Sequence, residues 1–164
     1  NVNGTAMKMV DVCNVFSKAD VENVSSILAS GNILFQSKKS ASELKTSLEN
    51  AMSKAFNFEA FLFVKSETEI LRILENCPFE QNKEWHSYVF IAEEKESQEI
   101  LMEFELCNHQ ENEKGNLVES TFYWQIPKQG TLNSEFGKIL GKKKFKDKFT
   151  SRNINTIEKI VKKY

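Results

Sequence analysis

Arg152 and Asn153 follow Thr150 and Ser151 and precede an apolar-periodic run, and of all the residues in this chain they are the best suited to hold an anion. A helix opening there offers unpaired N–H groups and the positive end of its dipole. An arginine adds paired donors shaped for a carboxylate or phosphate. The competing role is structural: Ser151 or Asn153 caps the helix, and Arg152 locks it onto a sheet. Ser30, Gly31 and Asn32 form a second polar group, set between two apolar runs. Here the competing role is a hairpin turn whose Asn side chain ties down local backbone. A third group is the basic segment Lys138, Lys142, Lys143, Lys144, Lys146 and Lys148, with Phe145 and Phe149 interleaved. Exposed aromatics flanked by lysines suit single-stranded nucleic acid, whereas solvated lysines on a connector need no ligand. The aromatic signature of the RNA-binding plaits is missing.

Other chemistries lack their residues. His86 and His109 have no Cys or His at metal-ligand spacing. Cys13, Cys77 and Cys107 have no sequence context beyond an apolar or helical one. The six glycines never form G-x-G, and no G-x-S-x-G elbow occurs. No catalytic residue, metal ligand or cofactor is therefore assigned. Carboxylate acid–base chemistry remains an alternative, although runs such as Glu93-Glu94-Lys95-Glu96 read as solvated faces.

These groups need a scaffold. Apolar spacing predicts a helix over 7–17 and a hairpin over 23–37. Ser40 and Glu43 form a capping-box pattern that opens a helix ending near Asn57. The apolar run 60–64 predicts a buried strand, and a second capping box at Ser66 and Glu69 opens a short helix through Leu74. The polar stretch 80–86 predicts a boundary, giving domains 1–79 and 80–164. The second half predicts a strand at 88–91, a helix over 96–106, a polar loop over 109–116 and one or two strands over 117–126. A helix over 132–140, a basic connector over 142–149 and a final helix over 153–163 complete it. Residues 88–150 are read in the order βαββαβ, that of an α-β plait. The first half has the same order without its opening strand, which is central in a plait. We expect either residues upstream of Asn1 or a segment of another chain to fill that slot, between the strands at 24–28 and 61–64.

The chain has 164 residues, 40% hydrophobic and 27% charged, as in globular proteins. Its formal net charge of −1 hides two blocks. Glu93 to Glu119 holds nine acidic residues and two lysines, a net of −7. Lys138 to Tyr164 holds nine lysines and one arginine against two acids, a net of +8. Such blocks attract each other or serve different partners. Thirteen phenylalanines predict Phe-stocked cores. An odd number of scattered cysteines predicts free thiols in a reducing compartment, and no apolar run reaches the ~20 residues of a membrane span. The expected location is the cytoplasm.

Three motifs carry a resemblance. Asn1-Val2-Asn3-Gly4 is similar to an Asn-x-Gly-Gly loop, with Asn3 in place of the first Gly. The run 30–35, Ser30-Gly31-Asn32-Ile33-Leu34-Phe35, resembles a Ser-Gly-Asn-x-x-Phe signature. The stretch 150–156 is similar to Thr-x-Arg-Asn-Trp-x-Thr, with Ile154 where Trp is usual. In this order the three resemble the bacterial domain-of-unknown-function family 1697. The resemblance implies an α+β chain of two tandem ferredoxin-like (α-β plait) subdomains with antiparallel sheets, plus a C-terminal helix. It implies no activity. The functional expectation is a non-catalytic module that binds a small anionic ligand or a protein partner through Asn1, Asn3, Ser30, Gly31, Asn32, Arg152 and Asn153. A metal-independent enzyme acting on a small anion, or a nucleic-acid binder using Lys142, Lys143, Lys144 and Lys146, are the alternatives. No membrane partner is expected.

Overall fold

The computed structural model describes residues 7–131 and 133–164. The chain divides after Ser66 into two units. In the first, α1 (Met9–Ser17) precedes a hairpin of β1 (Glu22–Ile27) and β2 (Asn32–Gln36), followed by α2 (Ala41–Phe56). The capping box at α2 forms as predicted: Ser40 N–H donates to Glu43 Oε2 (2.9 Å) and Glu43 N–H to Ser40 Oγ (3.4 Å). Val12, Phe16, Val21, Leu44, Leu48, Met52 and Ala60 make its core.

The run 60–64 corrects the sequence expectation: it is apolar and packs on this core, but it joins no ladder among the described residues. A strand needs a partner strand, and here α2 side chains take its backbone groups instead. Ala60 N–H donates to Ser53 Oγ (2.9 Å) and Leu62 N–H to Glu49 Oε1 (2.8 Å), while Lys45 Nζ donates to Leu62 O (2.9 Å).

The second unit begins with α3 (Glu67–Glu75), thirteen residues ahead of the boundary predicted at 79/80. The physical reason is that α3 is tied into this unit's core: Tyr123 Oη donates to Ile73 O (2.8 Å). Then come β3 (Trp85–Ala92), α4 (Glu94–Leu106), β4 (Lys114–Val118), β5 (Thr121–Pro127), α5 (Glu135–Leu140), a 3-10 turn at Lys143–Phe145, β6 (Phe149–Asn153) and α6 (Ile154–Val161). The four strands form one antiparallel sheet in the order β4-β5-β3-β6. The molecule is thus α+β, with two antiparallel sheets and six α-helices among the described residues.

One sheet face carries a Phe-rich core with α4 and α5: Phe90, Phe104, Phe122, Trp124, Phe136 and Phe145 are buried together. On the other face Val89 and Tyr123 are fully buried with α3 and α6, which bring in Ile70, Ile73, Ile154 and Ile157. β4 approaches α4 closely enough that only glycine fits at position 115. A Cβ there would lie 2.5 Å from Phe104 Cδ1. The Phe104 ring is held by Phe122, Phe136 and His109 and cannot swing aside. Gly115→Ala is therefore expected to cost about 1–3 kcal/mol through overpacking. Urea denaturation checks this, and an unchanged midpoint would mean that α4 and β4 separate freely.

The opposite charge blocks attract each other. Lys144 pairs with Glu103, and Lys148 with Glu99 (3.4 Å), so the basic connector is clasped to the acidic face of α4.

Candidate functional site

The hairpin motif is a tied turn. The bend spans Leu28 to Gly31, and the left-handed residues are Leu28 (φ 59°) and Gly31 (φ 74°). Asn32 starts β2 opposite Ile27. Its buried amide donates to Ile27 O (3.2 Å) and Ser30 Oγ (2.9 Å), so Ser30 and Asn32 hold the turn together. Asn1 and Asn3 lie outside the described residues.

Arg152 and Asn153 occupy the end of β6, directly ahead of α6. Arg152 stands opposite Val89 and Asn153 opposite Tyr88 in the β3–β6 register. Successive strand residues point to opposite faces, so the two side chains diverge. Arg152 donates to Thr150 Oγ1 (2.6 Å) and Ser151 O (2.8 Å), and burial pushes its guanidinium pKa below the ordinary value. Asn153 caps α6, accepting from Asn155 N–H (3.0 Å), and its amide lies 3.4 Å from His86 Nδ1. The basic block also differs from the expectation: Phe145 is buried in the core and Phe149 half-buried, so they are not free to stack bases. Lys142 and Lys143 are exposed, Lys144 pairs with Glu103, and Lys146 lies 3.9 Å from Asp147.

The second unit builds a site that the motifs did not announce. Between α5 and the sheet lies an open cleft of about 460 Å³. Trp124, Phe149 and Ser151 line it from the strands, and Ser134, Gly137, Lys138 and Gly141 from α5 and its ends. Behind the wall sits Glu113, a carboxylate only 3% exposed although the sequence places it in a polar loop. It accepts from Trp124 Nε1 (2.8 Å), Ser134 Oγ (2.7 Å) and Gln110 N–H (3.2 Å). Ser134 in turn accepts from Gly137 N–H (2.9 Å) and caps α5. Trp124 is further fixed by stacking on Tyr88 at 5.3 Å. Among the described residues no carboxylate pairs with Lys138, the cation of the lining. Of the residues singled out from the sequence, Lys138 and Phe149 of the basic segment and Ser151, a capping candidate, reach this cleft.

A family model described as "Protein of unknown function (DUF1697)" matches residues 1–123. The chain belongs to this family. The match ends just before Trp124, so the cleft residues lie beyond the stretch that carries the DUF1697 assignment. Among solved structures, the conserved bacterial protein SP0830 from Streptococcus pneumoniae is similar, with a TM-score of 0.79 and 23% identity. The likeness covers 99% of this chain and 92% of that one, and it shows a shared fold. No curated protein matches the sequence. Among the described residues, no group of three His, Cys, Asp or Glu could hold a metal, and no helix is long and apolar enough to cross a membrane. The three cysteines are free thiols.

Tyr123 gives this unit a pH signature. Burial, with smaller contributions from Cys77 and Glu119, pushes its phenol well above the ordinary value. The folded state therefore keeps the proton that the unfolded chain releases near pH ~10. This contribution is complete below that pH and is lost as pH rises toward the folded pKa. Tyr123→Phe is expected to cost about 1 kcal/mol at neutral pH, for the lost bond to Ile73 O, and to flatten the alkaline loss. Denaturant midpoints from pH 8 to about 11 check this. Parallel curves for the two proteins would show that Tyr123 ionises alike folded and unfolded.

Proposed function

We propose that this DUF1697 chain is a non-catalytic binding module, and that the α5–β6 cleft holds a small anionic ligand. The observation that carries the reading is Lys138, a cation without a carboxylate partner among the described residues, beside Thr131 and Ser151 in the cleft. A fixed wall supports it, because Glu113 holds Trp124 and Ser134 before any ligand arrives. Free thiols favour a reducing compartment, and we place the protein in the cytoplasm.

At the level of fold, we propose two tandem plaits. The order β4-β5-β3-β6 within a βαββαβ unit supports this for the second half. For the first half, the reading gives β2 one further strand as a neighbour, on the core that Ile33, Phe35, Ala60, Leu62 and Val64 share. An alternating apolar segment of about ten residues fused ahead of Asn1 then raises the melting temperature, and no gain argues against a plait there.

The ligand reading is tested by titrating the full chain with sodium benzoate and, separately, inorganic phosphate, following the amide resonances of Gly137, Gly141 and Ser151. Saturable shifts with at least one anion, weakened by Lys138→Ala, are expected. Silence with both anions rejects the cleft as an anion site.

A further inference from the structure

We propose that the outer edge of β1 pairs with the β1 edge of a second copy of this chain, so that two hairpins form one continuous antiparallel sheet. β1 pairs with β2 on one side, and among the described residues no strand lies on the other. A bare edge offers a row of unmade N–H and C=O groups, and folded chains blunt such edges with charge. Both edges of the four-stranded sheet follow that rule: β4 starts at Lys114, and β6 carries Arg152. β1 does not. No charged residue occurs from Asn23 to Ser37, in a chain that is 27% charged. Glu22 stands ahead of the register shift that separates it from Ser25. Asn23, left-handed at φ 53° within that shift, donates its amide to Gln36 Oε1, so its side chain turns to β2 and not across the outer edge.

The backbone sets the register. Ile27 O accepts from the Asn32 amide, on its partner residue in β2, and so points inward. Backbone groups of successive strand residues point to opposite sides, which turns those of Ser26 outward. The Ser26 side chain is exposed as well. A two-fold axis perpendicular to a sheet preserves its faces, so one residue meets its own counterpart at the axis. With Ser26 there, the two serines exchange both backbone bonds, Ser25 lies opposite Ile27, and Val24 opposite Leu28.

Leu28 gains most from this pairing. It holds a left-handed φ of 59°, costly for a bulky side chain, and still leaves that side chain 48% exposed. In the pair, Val24 of the second copy lies across from it. Glu22 falls opposite Ser30, so no like charges meet. An uncharged strand carries nothing to attract an acidic or basic segment, whereas it is compatible with itself.

Val24 to Leu28 is a short edge, so the dimer is weak, with a Kd on the order of 10 μM to 1 mM. Sedimentation equilibrium of the full chain across that range, beside Ser26→Lys and Ser26→Thr, reads it. The mass is expected to rise from monomer to dimer. Ser26→Lys sets two cations together at the axis and weakens the dimer at least about tenfold, while the dilute protein melts as the parent does. Ser26→Thr keeps the dimer, and exchange of the Ser26 amide slows as concentration rises. A chain that stays monomeric at about 1 mM overturns the proposal and leaves the edge to a foreign strand or to none. A dimer indifferent to Ser26→Lys has its interface elsewhere and overturns it too. Growth beyond the dimer does the same, because an edge taken by its two-fold partner is closed.

Discussion

Glu113→Ala is expected to cost about 3–5 kcal/mol, more than an ordinary exposed loop glutamate would. The carboxylate is buried and serves three donors at once. Trp124 and Ser134 are themselves buried, so water cannot replace the lost acceptor without opening the wall. Each buried donor left unmade costs about 1–3 kcal/mol, and the vacated side-chain volume adds to that. The Gln110 N–H, nearer the surface, recovers part of its loss from solvent. Glu113→Gln keeps one acceptor oxygen and should lose about half as much. Urea denaturation of both variants measures the difference. A loss below about 1 kcal/mol for Glu113→Ala would mean that solvent already reaches the cluster.

That a glutamate in a polar loop becomes a core residue marks where the sequence stops being legible. Local rules worked where the partners are local. The Ser40–Glu43 box opens α2 because both of its bonds close within three residues. The apolar stripe of α6 buries Ile154, Ile157 and Ile160 as its spacing requires. Elements defined by distant partners read less well. Phe149 to Asn153 has little of a strand's composition and becomes β6 because β3 offers it an edge. The run 60–64 has the composition of a strand and no ladder partner among the described residues. Asn32 ties down its turn through its amide, as a side chain with partners two and five residues away can, while Leu28 rather than Asn32 takes a left-handed position.

The site follows the same division. Ser30, Asn32, Arg152 and Asn153 were picked by residue type, and each is engaged in holding its own segment. The cleft draws on residues from 124 to 151, which only the sheet order and the packing of α5 bring together. Its local trace was slight: Ser134 ahead of Gly137, and a second glycine four residues on.

Phe136→Ala should cost about 3–5 kcal/mol, and the reason lies in the length of α5. A helix of six residues is far below the ~12–15 at which an isolated helix becomes even marginal in water, so packing holds it, aided by the Ser134 cap. Phe136 supplies most of that packing. It is fully buried, with Phe104 edge-on at 5.1 Å, Trp124 at 5.3 Å and Phe122 at 5.7 Å. Each such ring pair adds about 0.5–1.5 kcal/mol beyond the area it removes from water. Alanine leaves a cavity among rings that are already locked to one another, so little collapse can relieve it. Phe136→Leu refills part of the volume and should cost about 1–2 kcal/mol. Hydrogen exchange separates loss of α5 from uniform weakening: in the alanine variant the α5 amides should lose protection before those of β3 and β5. If all of them lose protection together, α5 is held by more than this one ring, and the cleft keeps its helical wall without it.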